Sequence, residues 1–140
     1  MKGNYRGFYK YDNERIHKKL GIDRTLFNIE ITESIGETIS GVVEDDLNTK
    51  GTPGVGIVSG TFHGGNISFV KQMPVLSSIG SGGELKTYPN KRHPKIYYEG
   101  IEVEKGFFQG FWKMKFGFRF FGRFLQIFSS ASGTWEMQRY

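Results

Sequence analysis

The sequence predicts an all-β protein: one domain over residues 1–140, built as an eight-stranded antiparallel up-and-down (meander) β-barrel. Three observations carry this. Short runs with period-two alternation of apolar and polar residues recur along the chain, separated by turn formers. Glycine supplies 20 of the 140 residues, about twice the ~7% of average proteins, without low-complexity repeats. Aromatic residues reach 16% while proline is scarce, a composition that suits short strands and bent sheets rather than a helical bundle.

Taken in order, Asn4–Tyr11 is the first strand, with Tyr5, Gly7, Tyr9 and Tyr11 on the inward face because Arg6 and Lys10 prefer water. Asp12–Arg24 is polar; Asn13 as a cap and Gly21 as a stop predict a short helix over residues 13–21, with solvated loop as the alternative. Thr25–Ser34 alternates strictly, with Phe27, Ile29 and Ile31 inward. Ile39–Met73 holds three strands, Ile39–Asp45, Gly54–Phe62 and Asn66–Met73. The last two are joined by His63-Gly64-Gly65, whose glycine pair supplies the positive φ of a tight hairpin. Pro74–Pro94 reads as a long irregular stretch, of the kind that is usually functional or disordered. Lys95–Val103, Gly106–Phe116 and Gly133–Arg139 complete the count of eight.

Two of these strands share a Gly-x-Trp-x-Met motif, at Gly110/Trp112/Met114 and Gly133/Trp135/Met137, the pattern of two strands lining one interior. Sheet twist favours closure of eight sequential strands, which also removes exposed edges. Gly7, Gly41, Gly56, Gly60, Gly100, Gly110 and Gly133 all fall on the inward parity, where they relieve crowding and permit bending.

Beyond the barrel, the chain resembles a loose group of small bacterial up-and-down barrel proteins and, more broadly, the calycin-type barrels: lipocalins, fatty-acid-binding proteins and avidins. The resemblance rests on Gly41/Val43/Asp45, Ile67/Phe69/Lys71, Tyr98/Gly100 and Gly133/Trp135/Met137. It implies the calycin-like architecture and a barrel interior that can hold a ligand. The lipocalin Gly-x-Trp lies on the first strand of that family and on the last two here, and the polar residues that avidins aim at biotin have no counterparts, so no ligand is implied.

An eight-stranded barrel sits between a solid core and a one-ligand cavity. The inward list is therefore either core packing or the lining of a small-molecule site, composed of Tyr9, Phe27, Ile29, Asp45, Phe69, Lys71, Tyr98, Trp112, Met114, Trp135 and Met137. Asp45, Lys71 and Arg139 are charged on an inward parity, so each is paired, ligand-facing or at a wet rim. The reading is a non-enzymatic binding barrel for an apolar or amphipathic molecule, entered beside Pro74–Pro94.

Phe107–Phe128 stands apart. Ten of its 22 residues are aromatic, interleaved with Lys113, Lys115, Arg119 and Arg123, with no acid between. It is an aromatic extension folded over the barrel's own end, an interaction surface of a homo-oligomer centred on Phe118, Arg119, Phe120, Phe121, Arg123 and Phe124, or, third, a single-stranded nucleic-acid platform. A membrane surface would suit it equally.

Other chemistry finds little footing. There is no cysteine, and His17, His63 and His93 lie on unrelated loops, so neither a metal nor another cofactor is expected. Asp45-Asp46 reads as a turn-initiating cluster more readily than as an acid–base pair, and Gly51-Thr52-Pro53-Gly54 lacks the Lys-Ser/Thr of a phosphate loop. No nucleophile elbow is present and no enzyme signature emerges. The net charge of +5 serves solubility or a weakly anionic partner. No window approaches the length of a membrane helix and no apolar leader follows Met1, which favours a cytoplasmic protein.

Overall fold

The computed structural model describes the chain except residues 80, 81, 89, 91, 116, 122, 123 and 129; for residues 78, 79, 117–121 and 124–128 it describes the backbone alone. The strands are β1 (Gly3–Tyr11), β2 (Thr25–Ile35), β3 (Thr38–Asp45), β4 (Val55–His63), β5 (Asn66–Gln72), β6 (Leu76–Ile79), β7 (Leu85–Tyr88), β8 (Ile96–Glu104), β9 (Phe107–Met114), β10 (Gly117–Phe121), β11 (Phe124–Phe128) and β12 (Ala131–Arg139). Eight of them close into one antiparallel barrel in the order β1-β12-β9-β8-β5-β4-β3-β2. These are the eight strands expected from alternation. The remaining four form two separate hairpins, β6-β7 and β10-β11. Pro74–Pro94 is therefore not wholly irregular, as the sequence suggested, but carries the β6-β7 hairpin. No helix among the described residues is long and apolar enough to cross a membrane.

Local chemistry explains the connections. Gly64 (φ 57°) and Gly65 (φ 81°) adopt the left-handed conformation that a two-residue hairpin turn requires. The expected helix is α1 (Glu14–Leu20), where the Asn13 side chain accepts from the Arg15 N–H and Gly21 closes the other end at φ 72°. Asn13→Ala should cost about 1 kcal/mol, the usual worth of such a cap, and show as a lower urea midpoint.

The two ends of the barrel differ. At one end the strand pairs β2-β3, β4-β5 and β8-β9 are joined by tight turns at Gly36-Glu37, Gly64-Gly65 and Lys105-Gly106. At the other end every connection is long: α1, a 3-10 turn at Leu47–Thr49, the β6-β7 hairpin and the β10-β11 hairpin all emerge there. The interior near the tight turns is apolar, with Tyr5, Ile31, Ile39, Ile67, Phe108 and Met137 all buried in one cluster. The interior near the long connections carries charge.

The repeated Gly-x-Trp-x-Met motif acquires a geometric meaning. Strands β9 and β12 are neighbours in a register that sets Trp112 opposite Gly133 and Trp135 opposite Gly110. Each indole lies across the other strand's glycine and reaches the strand beyond. Trp112 Nε1 donates to the Lys10 carbonyl of β1 at 3.0 Å. Trp135 Nε1 donates to the carbonyls of Glu99 on β8, at 3.2 Å, and Phe111 on β9, at 3.0 Å. A Cβ at Gly133 would run into the Lys10 carbonyl oxygen and the Trp112 indole, and one at Gly110 into the Glu99 carbonyl. The exchange works only with glycine at both positions.

Candidate functional site

The site is assembled at the end with the long connections. Asp45 is the last residue of β3 and Lys71 lies near the end of β5, both on the inward parity. Their side chains are 1% and 2% exposed, and Lys71 Nζ lies 2.5 Å from Asp45 Oδ1. Two charges buried this deeply persist only when paired and hydrogen-bonded, since each alone would lose several kcal/mol of hydration. Neither is at a wet rim.

Further donors converge on Asp45. The Thr52 N–H reaches Oδ2 at 3.2 Å and the Tyr9 hydroxyl reaches the same oxygen at 3.4 Å. Thr52 arrives there because Gly51 lets the chain pass directly against Asp45; a Cβ at Gly51 would overlap the Asp45 Cβ. Asp46, next in sequence, instead caps the 3-10 turn by accepting from the Asn48 N–H at 3.1 Å. The two adjacent acids thus divide the labour, one inside and one in the turn.

Aromatic rings surround the pair. Lys71 Nζ stands 4.9 Å from the Tyr9 ring centroid and 5.8 Å from that of Phe27. Tyr98 stacks on Phe69 with centroids 4.7 Å apart, and both meet Trp135 edge-on. Burial, then the Asp45 charge, push the Tyr9 and Tyr98 phenols well above their ordinary range. The same two causes lift Tyr11 to about 12. All three therefore remain O–H donors at any physiological pH.

The cap over this end is built from the long connections. Thr52 Oγ1 and Ser77 Oγ lie 2.9 Å apart, and Gln72 Nε2 donates to the His93 carbonyl at 2.5 Å. Gly83 packs against the Lys19 carbonyl at the end of α1, where a Cβ would not fit. Leu20, Met73, Leu76 and His93 are buried beneath. Burial holds His93 below its ordinary value, with the Lys71 charge adding to the effect and the Pro94 carbonyl and Asp45 opposing it.

This gives a pH prediction. A histidine whose folded pKa is depressed takes up a proton more readily when unfolded, so its contribution is present above about pH 6.5 and is lost as pH falls below it. His93→Gln should flatten the loss of stability between roughly pH 6.5 and pH 5, measured by urea unfolding at each pH. An unchanged slope would place the pH dependence elsewhere.

Of the expected lining residues, Tyr9, Phe27, Asp45, Lys71, Tyr98 and Trp112 lie toward the capped end; Ile29, Phe69 and Trp135 lie midway; Met137 lies toward the tight turns. All of these are buried, and Met114 is partly buried against them. Arg139 takes the wet-rim alternative. Its register partner is Tyr5, at the opposite end from Asp45, and its exposed guanidinium bends out to the Lys2 carbonyl at 2.6 Å. A strand end that projects past the rim no longer obeys the inward parity. Thr52, Tyr11 and His93 join the site without having been singled out for it.

The aromatic–basic segment divides. Phe108 and Trp112 are core, whereas Phe111 is 71% exposed. Phe118, Arg119, Phe120, Phe121 and Phe124 occupy positions on β10 and β11, but their side chains lie outside the described residues, as does Arg123 altogether. Among the described residues no cluster of His, Asp or Glu is arranged to hold a metal ion. No family model matches the chain, and no curated protein or solved structure is significantly similar to it.

Proposed function

We propose that the protein is a binding barrel that takes a small amphipathic molecule at its capped end, with Asp45 and Lys71 as the polar anchor and Tyr9, Phe27, Phe69, Tyr98 and Trp112 as the apolar wall. The observation that supports this is the coincidence of the buried charged pair with the only end where the connections are long. A barrel needing nothing but stability would do as well or better with a hydrophobic pair there. Long connections on a rigid scaffold are where binding residues collect.

The test is a thermal-shift and native mass-spectrometry screen of small metabolites and lipids against the whole chain. Ligands of this site should raise the Tm of the wild-type protein and leave the Asp45→Leu/Lys71→Met double variant unmoved. A ligand that stabilises both proteins equally would place binding elsewhere.

A second reading has one observation behind it. Strand β10 pairs with β11 alone, and the facing positions are Phe118 and Ile127, Phe120 and Leu125, and Phe121 and Phe124. Register places Phe118, Phe120, Leu125 and Ile127 on one parity of this ribbon and Phe121 and Phe124 on the other, a density of apolar positions of the kind that marks association surfaces. Such a ribbon would suit a second copy of the chain. Light scattering should then report a dimer or larger species, reduced to monomer by Phe118→Ser/Phe120→Ser.

A further inference from the structure

The polar groups at the capped end are unequal in what they offer. Three donors already point at the Asp45 carboxylate: the Lys71 ammonium, the Thr52 N–H and the Tyr9 hydroxyl. A carboxylate has room for about four. The Lys71 ammonium has three N–H groups and, among the described residues, meets one oxygen, that of Asp45, and the faces of Tyr9 and Phe27. Neither Tyr98 nor Tyr11 donates its hydroxyl to an acceptor among the described residues, although Tyr98 is 2% exposed. The cluster is thus rich in donors and nearly saturated in acceptors. Its formal charge is zero, one carboxylate against one ammonium.

On the binding reading above, we propose that this cluster recognises an uncharged carbonyl oxygen without an N–H of its own, that of a ketone, ester or lactone, carried on an apolar body. A carbonyl oxygen has two lone pairs and no proton, so it can accept from Lys71 and from a tyrosine at once. A carboxylate would make the same contacts but leave one net negative charge buried, and an ammonium would bring donors where acceptors are lacking and add a positive charge beside Lys71. The stacking of Tyr98 on Phe69 fixes its ring, so its hydroxyl is held in place before any ligand arrives. Burial and the Asp45 charge keep that phenol protonated, as a donor must be.

A matched series separates these outcomes. Methyl hexanoate, hexanoate and hexylamine share one six-carbon chain and differ in the head group. Titrated into the whole chain and followed by thermal shift and native mass spectrometry, methyl hexanoate should give a saturable rise in Tm and a one-to-one complex, with the other two weaker by tenfold or more. Tyr98→Phe should weaken methyl hexanoate by roughly threefold to tenfold without unfolding the protein, the worth of one hydrogen bond. Preference for hexanoate or hexylamine would overturn the carbonyl assignment and leave a binding barrel standing. If none of the three registers, while lipids and metabolites of other shapes do, the assignment falls; if nothing registers at all, the binding reading falls with it.

Discussion

Lys71→Met should destabilise the protein by about 3–5 kcal/mol, the cost of stranding a buried carboxylate without its counter-ion. For a domain whose whole stability is of order 5–15 kcal/mol, that is a loss of roughly 10 °C or more in Tm. The Thr52 N–H and Tyr9 hydroxyl still reach Asp45, but neither carries charge. Asp45→Leu/Lys71→Met should recover part of the loss, because removing both charges removes both desolvation penalties and methionine fills the lysine's volume, while the Thr52 N–H and Tyr9 hydroxyl lose the acceptor they share. A double-mutant cycle by urea unfolding measures this directly. A single variant as stable as the wild type would mean that water reaches the pair, contrary to side chains that are 1% and 2% exposed. The same cycle supplies the folded, charge-free barrel that the ligand screen requires.

Trp135→Ala should cost a comparable amount, about 3–5 kcal/mol, since it empties the space between Phe69, Tyr98 and the Gly100-Gly110 pair. Trp135→Phe separates volume from hydrogen bonding. It retains a ring but takes the donor away from the Glu99 and Phe111 carbonyls, and should cost about 1–3 kcal/mol. Guanidinium midpoints for the two variants, with near-UV circular dichroism as a check on aromatic packing, give both numbers. Equal losses would mean that the ring's area is irrelevant and the hydrogen bonds carry everything; negligible losses in both would contradict the burial of the indole. By the reciprocity of the motif, Trp112→Phe should lose its bond to the Lys10 carbonyl in the same way.

How much of this could be read from residues alone follows from the kind of signal each feature leaves. Strand β2 shows plainly, because burial of one face forces Phe27, Ile29 and Ile31 to alternate with Asn28 and Glu30. The Gly64-Gly65 turn and the Asn13 cap are local chemistry, complete within a few residues. The Gly-x-Trp-x-Met repeat shows that Trp112 and Trp135 share an interior, but that each faces the other's glycine depends on register between strands, which no single strand encodes. The hairpin of β6 and β7 escapes because Leu76-Ser77-Ser78-Ile79 and Leu85-Lys86-Thr87-Tyr88 are short and lie outside the barrel that organises the other strands. The partnership of Asp45 with Lys71 required two parities to agree across two intervening hairpins, and their places near strand ends made a wet rim the plainer expectation, which their burial overturns. Thr52 contributes a main-chain N–H, a group every residue but proline possesses, so its identity could not announce its role.

The asymmetry between the barrel's ends has a consequence for motion. The cap is fastened by side-chain bonds such as Thr52 to Ser77 and Gln72 to the His93 carbonyl, whereas every barrel strand is hydrogen-bonded to a neighbouring strand on both sides. Breaking the first set leaves every strand pairing of the barrel in place. Amide hydrogen exchange should therefore divide the molecule in two, with α1, β6 and β7 exchanging through a low-energy local opening and the ladders of β2, β3, β9 and β12 only when the whole barrel unfolds. On the proposed binding role, a ligand would exchange through that local opening many times within the lifetime of a single folded molecule.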